Sequence, residues 1–226
     1  MAGRDLRERG GVGIEREKEL AAGAGAMLVE NGMALGLGTG STVAYLLAAL
    51  ASRGLSLTCV ATSLATEARA LELGLSVVAF EALERLDLAV DGADQVDTSG
   101  WLVKGGGGAH TRERIVAAAA DRFVVIVSAN KLVDQVGPPV PLELEDYAVP
   151  TILRSLPEVR LREGAAITPD GGLLADYWGE VGDPVELGAR LAAVPGVVSH
   201  GLFPPSMVDQ VLVGRGERVE ALRFAP

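Results

Sequence analysis

Four short apolar runs constrain this chain more than any other feature: MALGL at 33–37, SLTCVAT at 56–62, LDLAV at 86–90 and FVVIVS at 123–128. The first three lead, through turns rich in glycine, serine or aspartate, into stretches with helical spacing. Runs that are apolar throughout, rather than alternating, suit strands covered on both faces. Strands that alternate with helices build a parallel sheet. The pattern therefore predicts an α/β fold with a doubly wound, mostly parallel, Rossmann-like sheet, to which a further run, LSVVAF at 75–80, is expected to add a strand. The turns at 38–42, 91–94 and 128–131 would then leave the carboxyl ends of strands and open on one edge, where such sheets bind ligands.

At Gly137-Pro138-Pro139 the character changes. The segments PLELEDYAV, 151–156, EVRLRE, LLADYW, 184–194 and GVVSHGLF read as strand, helix, strand, strand, helix and strand. That order is the ferredoxin-like arrangement. The expected organisation is a Rossmann-like catalytic domain over 1–138 and 204–226 with a small inserted α+β domain over 139–203. QVLVG and RVEALRF would return to the first domain. At the other end, the charged and glycine-containing residues 1–12 are expected to be poorly ordered, with a helix over 14–31 stopped by Asn31-Gly32.

A net charge of −10 argues against nucleic acid or an anionic membrane as the main partner. With no signal peptide and no sufficiently long apolar run, a cytoplasmic location is expected. One cysteine, Cys59 in an apolar run, and two scattered histidines imply neither a disulfide framework nor a metal site. Arginine outnumbers lysine 17 to 3. An ammonium is a compact donor that a guanidinium cannot replace sterically, so Lys18, Lys104 and Lys131 are candidates for specific roles.

The turn Gly38-Thr39-Gly40-Ser41-Thr42 sets backbone N–H groups and hydroxyls at a helix N-terminus, a place suited to phosphate. The same residues would also make a tight turn with Ser41 or Thr42 as the helix cap. Its glycines at 36, 38 and 40 do not give the dinucleotide fingerprint, and SLTCVAT ends at Thr62-Ser63 with no acidic residue for a ribose diol. Farther on, DGADQVDTSGWLVKGGGGAHTRE at 91–113 holds paired carboxylates, a lysine opening a glycine run, and Glu113 in the first turn of a helix. Carboxylates, a lysine and close-approaching backbone in so short a span suit proton transfer. Asp97 fits a turn former better, and Glu113 alone would also fit a helix-start residue complementing the dipole.

With GTGST at 38–42, DGAD at 91–94, KGGG at 104–107, TRE at 111–113, Ala129-Asn130-Lys131 and PGVVSHGLF at 195–203, the sequence resembles ribose-5-phosphate isomerases of the A type over nearly its whole length. The resemblance implies interconversion of ribose 5-phosphate and ribulose 5-phosphate without a cofactor, by a homodimer or homotetramer. All three lysines fall where such isomerases carry a functional lysine. Gly108, where relatives often have alanine, and the turn at 168–172 depart from the family pattern.

Moving a carbonyl between C1 and C2 requires a base, an oxyanion stabiliser and a handler of hydroxyl protons. Glu113 is the expected base, and Lys104 with the amides of Gly105, Gly106 and Gly107 the oxyanion stabiliser. Asp91 would move hydroxyl protons, while Asp94 orients Lys104 or binds hydroxyls, beside Gly92 and Ala93. Thr39, Gly40, Ser41, Thr42, Lys18 and Lys131 would hold the phosphate; no metal is expected. The family does not require His110, and Tyr177 and Trp178 fit small-domain packing. A sugar-phosphate sensor would not need Glu113 and Lys104, an amino-sugar phosphate deaminase would release ammonia, and a pyridine-nucleotide dehydrogenase lacks its fingerprint.

Overall fold

The computed structural model describes residues 2–164 and 167–224, with side chains from residue 13 onward. The chain begins α1 (Ala2–Met27), β1 (Ala34–Leu37), α2 (Ser41–Ser52), β2 (Thr58–Ala61), α3 (Leu64–Glu72) and β3 (Leu88–Asp91). Two short strands follow, β4 (Gln95–Val96) and β5 (Leu102–Val103), then α4 (His110–Ala119) and β6 (Phe123–Ser128). Next come β7 (Val140–Leu144), α5 (Val149–Ser155), β8 (Val159–Leu161), β9 (Leu173–Tyr177), α6 (Pro184–Ala192) and β10 (Val197–His200). The described order closes with β11 (Leu202–Phe203), β12 (Gln210–Arg215) and β13 (Arg218–Leu222).

The main sheet has the order β13-β12-β6-β3-β1-β2, parallel throughout except for β13. Every residue of β3 and β6 is buried, which is why their sequences show no alternation. One face is covered by α1 and α2, where Ala22, Ala26, Leu46 and Leu50 meet Leu35, Val90 and Ile126. Val116 and Ala117 of α4 pack on the other face with Val125, Val127 and Phe203. From β1 the chain crosses to β2 on one side, while β3 and β6 extend the sheet on the other. The order therefore reverses between β1 and β3, and the crevice at their carboxyl ends is where such a sheet receives a ligand.

A second, antiparallel sheet of order β10-β7-β9-β8 carries α5 and α6 around Leu142, Leu144, Ile152, Tyr177 and Leu191. The third sheet, β11-β5-β4, has strands of two residues each, too short to leave a periodicity in the sequence.

Several expectations need correction. The first helix begins at Ala2 rather than residue 14 and ends at Met27. It spans Gly10 and Gly11, each of which costs about 1 kcal/mol in a helix interior. LSVVAF contributes only the bridge of Val77 to Cys59 at the open side of β2. Its valines stay partly exposed, and Phe80–Ala82 turns away as a 3-10 helix. PLELEDYAV leaves the strand after Leu144, and GVVSHGLF is two strands in two sheets. The break falls at Gly201, where a Cβ would lie 2.1 Å from the carbonyl oxygen of Lys104, so the backbones touch only because glycine stands there.

Candidate active site

The loops that follow β1, β3 and β6 converge on a cavity of about 220 Å³. Its walls are Ile14 and Lys18 of α1, residues 39–42, residues 92–94, the glycine run 105–107 with Lys104, Glu113 of α4, and Asn130-Lys131. The structure brings together on these walls all but one of the expected catalytic and substrate-binding residues. Asp91 lies behind the wall rather than on it, and Ile14 and Asn130 line the cavity without having been chosen. Asn130 does carry a signal in the sequence, since it sits beside Lys131 in the Ala129-Asn130-Lys131 turn. Ile14 had no signal beyond helical spacing.

At one end, the buried Lys104 ammonium sits between two buried carboxylates. Its Nζ donates to Asp91 Oδ2 at 2.9 Å and lies 3.1 Å from Glu113 Oε2. The Glu113 contact is an ion pair without hydrogen-bond alignment, so Oε2 has no aligned donor among the described residues. Two carboxylates share one cation. Burial first, and the Asp91 charge second, push the Glu113 carboxyl well above the usual carboxylate range, partly offset by Lys104. Burial alone would lower the pKa of Lys104; Asp91 and then Glu113 outweigh it and leave the ammonium firmly charged.

Asp91 is fixed on its other oxygen, where Oδ1 accepts from the Thr39 amide at 3.0 Å and the Gly92 amide at 2.7 Å. This requires Gly38, because a Cβ there would lie 1.9 Å from Asp91 Oδ1. Of the two roles expected for Asp94, orienting Lys104 and binding hydroxyls, the first is not the one it takes. Its Oδ2 accepts the Gly106 amide at 2.7 Å, so it holds the glycine run, while Lys104 is oriented by Asp91, Glu113 and the Gly92 carbonyl.

At the other end lies the N-terminus of α2, where Gly40 is the cap residue and no side chain caps it. Neither Ser41 nor Thr42 closes the turn, and the first amides of α2 remain open to an anion. Thr39 is committed elsewhere: its amide donates to Asp91, and its hydroxyl lies 2.8 Å from that of Thr62. It joins the two ends of the site, leaving Gly40, Ser41 and Thr42 as the free donors. Lys18 also lines this end, its Nζ 2.6 Å from Glu15 Oε1. Glu17, one residue earlier in α1, accepts the Ala129 amide at 3.1 Å and so anchors the turn that carries Lys131.

The residue types at both ends match a sugar-phosphate isomerase, and comparison with known proteins decides the family. Residues 58–218 match the family model of ribose 5-phosphate isomerase A (phosphoriboisomerase A). The chain belongs to the ribose 5-phosphate isomerase A family. The ribose-5-phosphate isomerase A of Halobacterium salinarum is 41% identical over an alignment spanning 95% of this chain and 98% of that protein. Ribose 5-phosphate isomerase A from Methanocaldococcus jannaschii superposes with a TM-score of 0.86 at 35% identity, covering 91% of this chain and 97% of the other. A D-ribose-5-phosphate isomerase in complex with phospho-erythronic acid gives 0.88 at 34% identity, covering 93% and 99%.

The remaining expectations concern residues outside the cavity. Asp97 is a turn former, its Oδ1 accepting the Ser99 and Trp101 amides. Cys59 is buried in β2, and burial pushes its thiol up to about 11. Tyr177 is buried, with its hydroxyl accepting from Arg190; Trp178 is half-exposed against Arg160. His110 lies fully buried beneath the glycine run with neither ring nitrogen hydrogen-bonded among the described residues. Burial holds it neutral, its pKa lowered to about 4. Among the described residues, no helix is long and apolar enough to cross a membrane, and no group of three or more His, Cys, Asp or Glu side chains could hold a metal ion.

Proposed function

We propose that this chain interconverts D-ribose 5-phosphate and D-ribulose 5-phosphate through an enediolate, with Glu113 as the base. The observation that carries the reading is the buried Glu113–Lys104 contact of 3.1 Å on the wall of a cavity whose far end is an uncapped helix N-terminus. In the open-chain aldose, Glu113 removes the C2 proton and the electron pair moves onto O1. Lys104, with the backbone amides of the glycine run, stabilises that oxyanion. Asp94, on the cavity wall, relays the O2 hydroxyl proton to O1, and Glu113 returns its own proton to C1. Asp91 acts through Lys104, keeping the ammonium charged and aimed; ring opening uses the same proton path.

A carboxyl whose pKa is raised by burial is a stronger base than an exposed one, and its proton is more evenly shared with a carbon acid. Gly40, Ser41 and Thr42 hold the phosphate dianion with Lys18 and Lys131, which answers how so acidic a chain binds an anion. Phospho-erythronic acid, the ligand of the related structure, fits the same division: a phosphate at one end and a carboxylate that spreads charge over two oxygens, as an enediolate does. The Rossmann-like catalytic domain comprises residues 1–138 and 204–226, and residues 139–203 form a ferredoxin-like unit, a reading supported by the βαββαβ order of β7 to β10. The protein acts in the cytoplasm as a homodimer or homotetramer.

The test is metal-free conversion of ribose 5-phosphate in deuterated water, by wild type and by Glu113→Gln. Wild type is expected to place deuterium at C1 of ribulose 5-phosphate. The variant should lose about a thousandfold or more in kcat with KM within a few-fold. Turnover that survives in the variant would remove Glu113 from the role of base.

A further inference from the structure

The peptide units of the glycine run have two sides, and only one faces the cavity. On the other side stands Arg162, which follows β8. Its Nη1 donates to the carbonyl oxygens of both Gly105 (3.0 Å) and Gly106 (3.2 Å). Asp176 of β9 grips the same guanidinium with both oxygens, at 2.8 Å to Nε and 2.6 Å to Nη2. The pair is largely buried and lines a second cleft behind the run, with Asp94 and Gly106.

The two carbonyls it touches belong to consecutive peptide units with different destinations. The Gly105 carbonyl shares its peptide with the Gly106 amide, which donates to Asp94 Oδ2. The Gly106 carbonyl shares its peptide with the Gly107 amide. That amide has no partner among the described residues, and Gly107 lines the cavity. A cation on a carbonyl oxygen polarises the whole peptide and makes its N–H a stronger donor, an effect that grows away from water. Arginine serves here where lysine would not, because the fork that binds two carbonyls with one nitrogen keeps two others for a carboxylate.

We infer that Arg162 is a positioning residue for the isomerisation: held by Asp176, it fixes and polarises the Gly105–Gly107 backbone so that the Gly107 amide is aimed at the enediolate oxyanion. This makes the small α+β unit part of the chemistry, since the residue after β8 and a residue of β9 form the pair. The inference rests on the reading of the glycine run as the oxyanion site.

The experiment compares two inhibitors on wild type, Arg162→Met, Arg162→Lys and Asp176→Asn. Phospho-erythronic acid carries a carboxylate where the enediolate would be charged; ribitol 5-phosphate carries the same phosphate and no charge at that end. Wild type is expected to prefer the carboxylate strongly, and failure of that preference would overturn the oxyanion reading itself. In Arg162→Met, kcat should fall about ten- to thirtyfold with KM within about twofold. Phospho-erythronic acid should weaken about tenfold and ribitol 5-phosphate hardly at all. Arg162→Lys should recover part of kcat, and Asp176→Asn should show the same selective pattern at smaller size. Should Arg162→Met fail to fold, the other two variants decide. Equal weakening of both inhibitors, or an unchanged kcat in folded variants, would reduce Arg162 to a structural contact and overturn the inference while leaving the oxyanion reading intact.

Discussion

The two ends of the cavity are built on opposite principles. Around Lys104 every charge is buried and answered by another: Asp91, Lys104 and Glu113 are each 5% exposed or less. Around α2 the donors are left open, with Gly40 and Ser41 exposed and the helix uncapped. The donors at the second end are open to water and salt, whereas the charged groups at the first expose almost no surface to either. A group removed from the closed end strands its partners in a low-dielectric interior, whereas one removed from the open end is replaced by water. In the proposed mechanism, chemistry belongs to the closed end and affinity to the open one.

The hardest blow to this contrast is Lys104→Met. It leaves Asp91 and Glu113 facing each other without a cation, and it should lower stability by about 3–5 kcal/mol, as loss of one partner from a buried ion cluster does. Urea denaturation measures this, and adding Glu113→Gln should return part of the loss by removing the repulsion. A stability change as small as that of a surface variant would mean the closed end is not closed. Lys131→Ala probes the open end. KM should rise about tenfold with kcat nearly unchanged, and added salt should raise the wild-type KM in the same direction. A fall in kcat without a change in KM would place Lys131 with the chemistry.

The smallest effect measures how deep the closed end goes. His110 and His200 are both held neutral by burial, with pKa values near 4, and Arg114 adds to the shift at each; Arg162 and His200 also face His110. Because these folded values lie below the ordinary histidine value, the unfolded chain takes up protons first as pH falls. Stability from this source is complete above about pH 6.5 and is lost progressively down to about pH 4, roughly 1 kcal/mol per histidine by pH 5.5. Denaturation midpoints across that window should fall, and His110→Leu should remove one share of the fall while leaving stability at pH 7 within about 1 kcal/mol. A variant that falls as steeply as wild type would show that water reaches His110.

Much of this was legible beforehand, for reasons that lie in particular residues. FVVIVS and LDLAV had to be strands covered on both faces, and their turns had to open at carboxyl ends. GTGST, DGAD and the turn at 128–131 therefore point to one crevice, and KGGG joins them through its closeness in sequence to DGAD. What escaped were features with no period or no local partner. β4, β5 and β11 are two residues long; LSVVAF is apolar but buries only Leu75 fully and meets β2 through a single bridge; Gly201 breaks a run whose sequence alone looks continuous.

Sequence by itself determined which residue types meet at the crevice, because the alternation of strand and helix fixes which loops share an edge. It also supplied the family's motifs in order. Only the tertiary structure decided how those groups divide their work. Asp91 took Lys104 and withdrew behind the wall, Asp94 took the Gly106 amide, Thr39 spent its donors inward, and Arg162 came from a distant strand to the back of the glycine run. Hydrogen bonds are satisfied by whichever partner the packed fold brings within 3 Å, and that distance is set by contacts between segments far apart in the chain.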